Sequence, residues 1–402
     1  MTDQTKFGLE VLTESRPSEF LGLRFGLLMN QASVDSQFRY ACDLIHFAWP
    51  GQLKRLFSPQ HGFWGEQQAN MIESPDSCYR PLSLPVHSLY AETRRPSTAL
   101  LRDLDVLLID LQDIGTRVYT FIWTMLECLR ACAECNVRVV VLDRPNPLGG
   151  NVVEGPLIKA GYESFVGNAA IPMRHGLTMG ELAQLLNAEN SLGANVSVIP
   201  MQHWNRAMMW PDTGRAWVLP SPNMPWPSTA FVYPGQVLLE GTNLSEGRGT
   251  TRPFELCGAP WLDPDQLLKL LEPLQHPGVK LQPMRFRPTF DKFKGETCGG
   301  LAIHVTDASA VRSFRLTLDF LNAVKVLCPT EFRWLDPPYE YETVKPPIDI
   351  LYGNDNLRRR LQTSESLTVA DCELLAAVDE QAWRQRVQPF WIYPAKASSD
   401  FL

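Results

Sequence analysis

The chain lacks a basic block, a long apolar run and any concentration of histidine, and each absence closes off a class of function. Its 402 residues include 37 Lys and Arg against 44 Asp and Glu, a formal net charge of -7. Without a positive face there is nothing to meet phosphate charge, so neither nucleic acid nor an anionic membrane surface is an expected partner. No stretch approaches the ~20 apolar residues that span a bilayer, so no membrane insertion is expected. The opening MTDQTKFGLEVLTESRPSEF has neither the basic nor the apolar segment of a secretory leader. The expected compartment is the cytoplasm, or the periplasm or exterior if a leader is missing.

Nucleotide motifs are missing too. Neither G-x-G-x-x-G nor G-x-x-x-x-G-K-[ST] occurs, and Gly247-Arg248-Gly249 is too short to replace them. A G-x-S-x-G serine and histidine pairs at zinc-ligand spacing are absent as well. No cofactor and no metal is expected. The nine cysteines are odd in number and scattered, which suits reduced thiols. Cys128, Cys132 and Cys135 have a spacing that iron–sulfur enzymes use, but with Phe121 and Met125 they recur every three to four residues. That period predicts a buried helical stripe.

What is present is a regular alternation of elements. LRFGLLMNQ, QLKRLFSPQ, LPVHSLY, DVLLIDLQD, RVVVLDRPN and NVSVIPM are strand-like, with amphipathic helical segments between most of them. Such alternation predicts an α/β fold with a doubly wound, Rossmann-like parallel sheet covered on both faces. At roughly 150 residues per domain the length suits two or three domains. The βα rhythm stops after about residue 205 and a boundary is expected near 228. Residues 1–228 form the Rossmann-like domain and 229–402 a smaller α+β domain, ending in one helix around ESLTVADCELLAAVDEQAWRQRV. A cleft between the two domains is the expected site.

Ligands of doubly wound sheets sit beyond the carboxyl ends of the strands. Four strands here end in polar clusters: Met29-Asn30-Gln31, Ser58 to Gly62, Asp110 to Asp113, and Asp143 to Asn146. They are expected to form the floor of one cleft. Loop carboxylates at Glu66, Asp110, Asp113, Glu154 and Glu246 offer the acid and the stabilising group that glycosidic cleavage needs. His61 and His175 each precede a glycine, where a site role and a backbone-satisfying role are equally open. Trp204, Trp210, Trp217, Trp226 and Trp261 lie within a short stretch; sugar stacking and interface packing both explain them. From residues alone, the chain reads as a cleft enzyme of hydrolase type.

Longer strings carry more. SPQHGFWGEQQAN at 58–70, LPVHSLYAETRRP at 84–96, DLQDIGTRVYTFIWTM at 110–125, LDRPNPLGG at 142–150, and LPSPNMPW with LEGTNLSEGRGTTRPFE between 219 and 255 resemble the peptidoglycan exo-β-N-acetylmuramidase family, NamZ-like, long known only as a domain of unknown function. The resemblance runs through nearly the whole chain. It implies removal of β-1,4-linked N-acetylmuramic acid from the non-reducing end of peptidoglycan or muropeptide fragments during cell-wall turnover and recycling.

It also implies a catalytic glutamate and tyrosine. The glutamate maps onto Glu66, expected to be sheltered by Phe63 and Trp64 so that it holds a proton as general acid. The tyrosine maps onto Tyr90, with Tyr119 as rival; Asp113 or the substrate's own acetamido oxygen are further partners. The lactyl carboxylate of muramic acid calls for a guanidinium fork, for which Arg117, Arg144, Arg248 and Arg252 are candidates. Asn30, Asn146, Asn223 and Asn243, with His61 and Glu246, are candidates for sugar contacts or turn formation.

Overall fold

The computed structural model describes residues 4–68 and 72–395. Ten strands are assigned: β1 Phe25–Met29, β2 Leu53–Ser58, β3 Ser77–Tyr79, β4 Leu84–Ser88, β5 Val106–Asp110, β6 Arg138–Leu142, β7 Val196–Ile199, β8 Leu256–Ala259, β9 Val279–Phe286 and β10 Cys298–Val305. The first seven form one sheet in the order β3-β4-β2-β1-β5-β6-β7. All pairings in it are parallel except β3 against β4. The expected parallel sheet therefore carries one antiparallel edge, made by a three-residue strand too short for apolar patterning to reveal.

β1 and β5 are buried at every position, because the sheet is covered on both faces. On one face lie the helices Phe121–Cys135 and Met179–Glu189, within the larger core; on the other, Gly8–Ser15 and Ala41–Ala48 pack in a second apolar cluster. The cysteine stripe packs as its period demands. Phe121, Met125, Cys128 and Cys132 are buried, and Asn136 ends the helix in a left-handed conformation. Thr178 caps the next helix, its hydroxyl accepting from the Glu181 amide while Glu181 accepts from the Thr178 amide.

The second half builds a three-stranded antiparallel sheet, β8-β10-β9, with the helices Pro227–Gln236 and Ser313–Leu327 packed together beside it. Gly235 permits their close approach, since a methyl group there would overlap the Ser313 carbonyl. The expected final helix is two, Val369–Ala376 and Glu380–Val387, separated by Ala377 to Asp379. Ala377 has extended backbone and the Asp379 side chain caps the second helix, so a period that runs on in sequence is broken locally.

The chain end returns to the first half. Tyr393 donates to Asp143, Trp383 donates to the His175 carbonyl, and the Ile392 amide donates to Glu181. Four of the five clustered tryptophans are accounted for by packing. Trp204 and Trp210 sit in an apolar cluster with Phe7, Met201 and Tyr393, against which Trp217 packs, and Trp261 packs on the main core. Trp226 is exposed. No helix among the described residues is long and apolar enough to cross a membrane.

Candidate active site

The carboxyl edge of the sheet is divided. Beyond β2, and beside the loop that leads from β5 to the helix at Phe121, a narrow cleft opens between the two halves of the chain. Gln60, His61, Tyr119, Thr120 and Asn223 line it from the first half; Tyr233, Glu240, Arg248, Tyr339 and Glu340 line it from the second. At the ends of β5 and β6 the polar residues consume one another. The Arg144 guanidinium grips Asp110 in a fork, Nε to Oδ1 at 2.5 Å and Nη2 to Oδ2 at 2.8 Å, with both side chains buried. The four strand ends thus do not floor a single cleft: only the β2 cluster, through Gln60 and His61, lines it, and the other three are filled by their own ion pair and hydrogen bonds.

The expected asparagines follow this division. Asn30 donates to the Pro220 carbonyl and accepts from Ala32; Asn146 donates to Leu177 and accepts from Leu148. Both are turn formers. Asn243 ties its loop to Glu331 and Arg333 and does not line the cleft. Asn223 does line it, and its amide donates to the Gln68 carbonyl, joining the 219–226 segment to the loop after β2.

Among the arginines, Arg117 is buried and donates to the carbonyls of Pro156, Ile171, Leu351 and Tyr352, stapling the two halves. Arg252 lies away from the cleft, partly exposed and paired with Glu255. Arg248 is different. It lines the cleft, donates from Nη2 to Glu240 at 2.7 Å and lies 3.2 Å from Glu246, while its buried Nη1 has no hydrogen-bond partner among the described residues. Burial opposes its charge, but Glu240 and Glu246 outweigh that and hold it firmly protonated. Glu246 is held in turn by Lys292. Gly247 makes this turn possible: its φ is +80° and a methyl group there would stand 2.5 Å from the Leu256 carbonyl.

The loop after β2 supplies His61 and Glu66. His61 Nδ1 lies 2.7 Å from the Gln67 carbonyl, so Nδ1 carries the hydrogen and Nε2 is an acceptor. Burial pushes its pKa down to about 4. Glu66 is not sheltered: it is exposed, and its carboxylate accepts the Trp64 amide at 3.2 Å. The two aromatic neighbours turn away from it. Phe63 joins the core beneath the sheet, and Trp64 stacks edge-on with Tyr40 and Phe63. Glu66 therefore stands on the rim of the loop whose His61 faces the cleft.

Tyr119 lines the cleft, while Asp113 caps its own turn by accepting the Gly115 amide, 3.6 Å from His175 Nε2. Tyr90 is fully buried and donates to Glu340 Oε2 at 2.9 Å. Glu340 itself, with Tyr339, Tyr233 and Glu240, escaped the sequence reading. The visible signal was DPPYEYETVKPP, an acidic and aromatic run between proline pairs. Tyr339 and Glu342 exchange backbone hydrogen bonds, so Glu340 and Tyr341 form a two-residue turn with φ of 43° and 70°. That is the φ pattern of a type I′ turn, which ordinarily takes Asn-Gly, and side chains held so cost about 1–3 kcal/mol each.

A buried carboxyl beside others, a guanidinium nitrogen without a partner among the described residues and several phenols can protonate one atom while holding an anionic, hydroxyl-rich ligand. The family profiles described as Exo-beta-N-acetylmuramidase NamZ, N-terminal, and its C-terminal counterpart match residues 25–228 and 231–393. The peptidoglycan beta-N-acetylmuramidase NamZ of Bacillus subtilis (strain 168) is 39% identical over 360 residues, which cover 90% of this chain and 85% of that protein. A crystal structure of a DUF1343 family protein from Bacteroides fragilis NCTC 9343 superposes with a TM-score of 0.86 at 33% identity, over 97% of this chain and 99% of that one. A second from the same strain gives 0.72 at 25% identity, over 98% and 100%. With both profiles matched end to end and the two-lobed architecture shared, the chain belongs to the exo-β-N-acetylmuramidase NamZ family.

Proposed function

We propose that the chain is an exo-acting glycoside hydrolase that removes β-1,4-linked N-acetylmuramic acid from the non-reducing end of peptidoglycan fragments. One observation carries the substrate reading: of the four candidate arginines, Arg248 alone combines a place in the cleft with an uncommitted guanidinium nitrogen. A lactyl carboxylate is the part of muramic acid that glucosamine lacks, and it is the group such a nitrogen binds. His61 Nε2, Asn223 and Tyr119 are suited to the sugar's hydroxyl and acetamido groups. Glu66 is exposed on the loop whose His61 lines the cleft, and we assign it to activating the attacking water. Nine unpaired cysteines accord with a reducing compartment, where imported fragments would be the substrate.

The test is a pair of chromogenic substrates. Release from the β-N-acetylmuramide and not from the β-N-acetylglucosaminide is expected. Release only from the glucosaminide overturns the specificity, and tight disaccharide binding with no turnover of either marks a sensor instead of an enzyme.

A further inference from the structure

The loop after β2 supplies an exposed carboxylate, and an exposed carboxylate does not explain how the departing sugar oxygen receives its proton. We propose that Glu340, on the tip of the turn from the second half, is the general acid of the cleft; this rests on the muramidase reading above. The side chain is 3% exposed and lines the cleft. Tyr90 donates to Oε2, and Gln60 approaches Oε1 at 3.4 Å with its own amide oriented by Thr120, which donates to Gln60 Oε1 at 2.6 Å. Three groups from the strand ends of the first half thus aim one carboxyl supplied by the second.

The turn is fixed for this purpose. Arg94 lies between the rings of Tyr90 and Tyr341, 4.3 and 4.2 Å from their centroids, so the left-handed pair at the tip is clamped from outside. Backbone strain retained by a clamp, at a cleft that also holds the uncommitted Arg248 nitrogen, is the pattern of a functional residue. Burial pushes the Glu340 pKa up, and the neighbouring Glu240 adds to the rise against the opposing hydrogen bonds of Tyr90 and Gln60. The shift is toward the protonated form that an acid must begin from.

The step balances simply. The Glu340 O–H bond breaks and its proton goes to the glycosidic oxygen; the C1–O bond breaks with its electron pair on that oxygen; water adds to C1 and gives up its proton to Glu66. Exchange with solvent then resets both carboxyls.

General-acid assistance matters in proportion to the basicity of the leaving group, which supplies the test. Wild type, Glu340→Gln and Glu66→Gln are compared on a muramyl-β-1,4-glucosamine disaccharide and on a dinitrophenyl β-N-acetylmuramide, with thermal melts to establish folding. Glu340→Gln is expected to lose about 10²–10⁴-fold on the disaccharide and less than about tenfold on the dinitrophenyl substrate. Glu66→Gln is expected to lose activity on both. Equal losses of Glu340→Gln on the two substrates, or near-normal disaccharide turnover, overturn the assignment. Wild type inactive on both muramides overturns the underlying reading instead.

Should Glu340→Gln fail to fold, Tyr90→Phe serves. Removing a donor that favours the Glu340 anion should move the alkaline limb of kcat/KM upward by roughly one pH unit. That limb is read against the other groups facing Glu340: Glu240 and Arg248 from the second half, His61 and Arg94 from the first, and Tyr339 and Tyr341 beside it. An unmoved limb in a folded Tyr90→Phe overturns the assignment.

Discussion

The two sides of the sheet's carboxyl edge carry the same kinds of residue and put them to opposite uses. At the ends of β5 and β6, Asp110 and Arg144 neutralise each other, and Asp143 accepts from Thr178, Gly180 and Tyr393. Beyond β2, Arg248 keeps a nitrogen in reserve and His61 keeps an acceptor. Polar content at a strand end does not distinguish a site from a joint. What distinguishes them is whether the hydrogen-bonding capacity has already been used up inside the protein.

Substitutions on the two sides should therefore fail in different ways. Asp110→Ala leaves a buried guanidinium uncompensated and is expected to destabilise the fold by about 3–5 kcal/mol, read as a lower midpoint in denaturant, with the surviving folded enzyme still active. An unchanged midpoint would erase the contrast. Arg248→Met also breaks buried ion pairs, and its distinguishing effect falls on binding. KM for muramides is expected to rise roughly 10–100-fold, as for a lost charge-assisted hydrogen bond, with no gain in KM for neutral hexosaminides. Equal effects on both substrate classes would remove the lactate role.

Gly247→Ala tests whether the turn itself matters. The positive φ and the Leu256 carbonyl should make it cost about 1–3 kcal/mol and displace Arg248, so melting temperature and muramide KM should worsen together. The smallest effect concerns acid. His61 has its pKa pushed down to about 4 by burial, from an ordinary 6.5, so the folded state binds its proton less readily than the unfolded chain. Its contribution is complete above pH 6.5 and is lost as pH falls through 4, up to ~3 kcal/mol. His61→Gln should flatten stability over that window; an unaltered acid transition would place the sensitivity elsewhere.

The parallel strands and the cysteine helix were legible because buried strands are continuously apolar and helices keep a 3.6 period. Glu66 illustrates the limit. Two aromatic neighbours in sequence suggested shelter, yet Phe63 and Trp64 leave the loop in other directions. Neighbours along the chain do not determine what surrounds a loop carboxylate. Glu340 was hidden for the converse reason: its surroundings come from β2 and β4, far away in sequence, and the turn that delivers it lacks the Asn-Gly signature of its conformation. Arg144 and Arg248 look alike as letters, and only their partners separate them.

The returning tail has a consequence for biosynthesis. Tyr393, Ile392 and Trp383 satisfy Asp143, Glu181 and the His175 carbonyl, groups laid down more than two hundred residues earlier. While the polypeptide is still emerging from the ribosome, the nascent Rossmann-like half must wait with those positions unfilled. Its completion waits until residues 383–393 have emerged, and a premature stop before them would injure the part of the molecule that was made first.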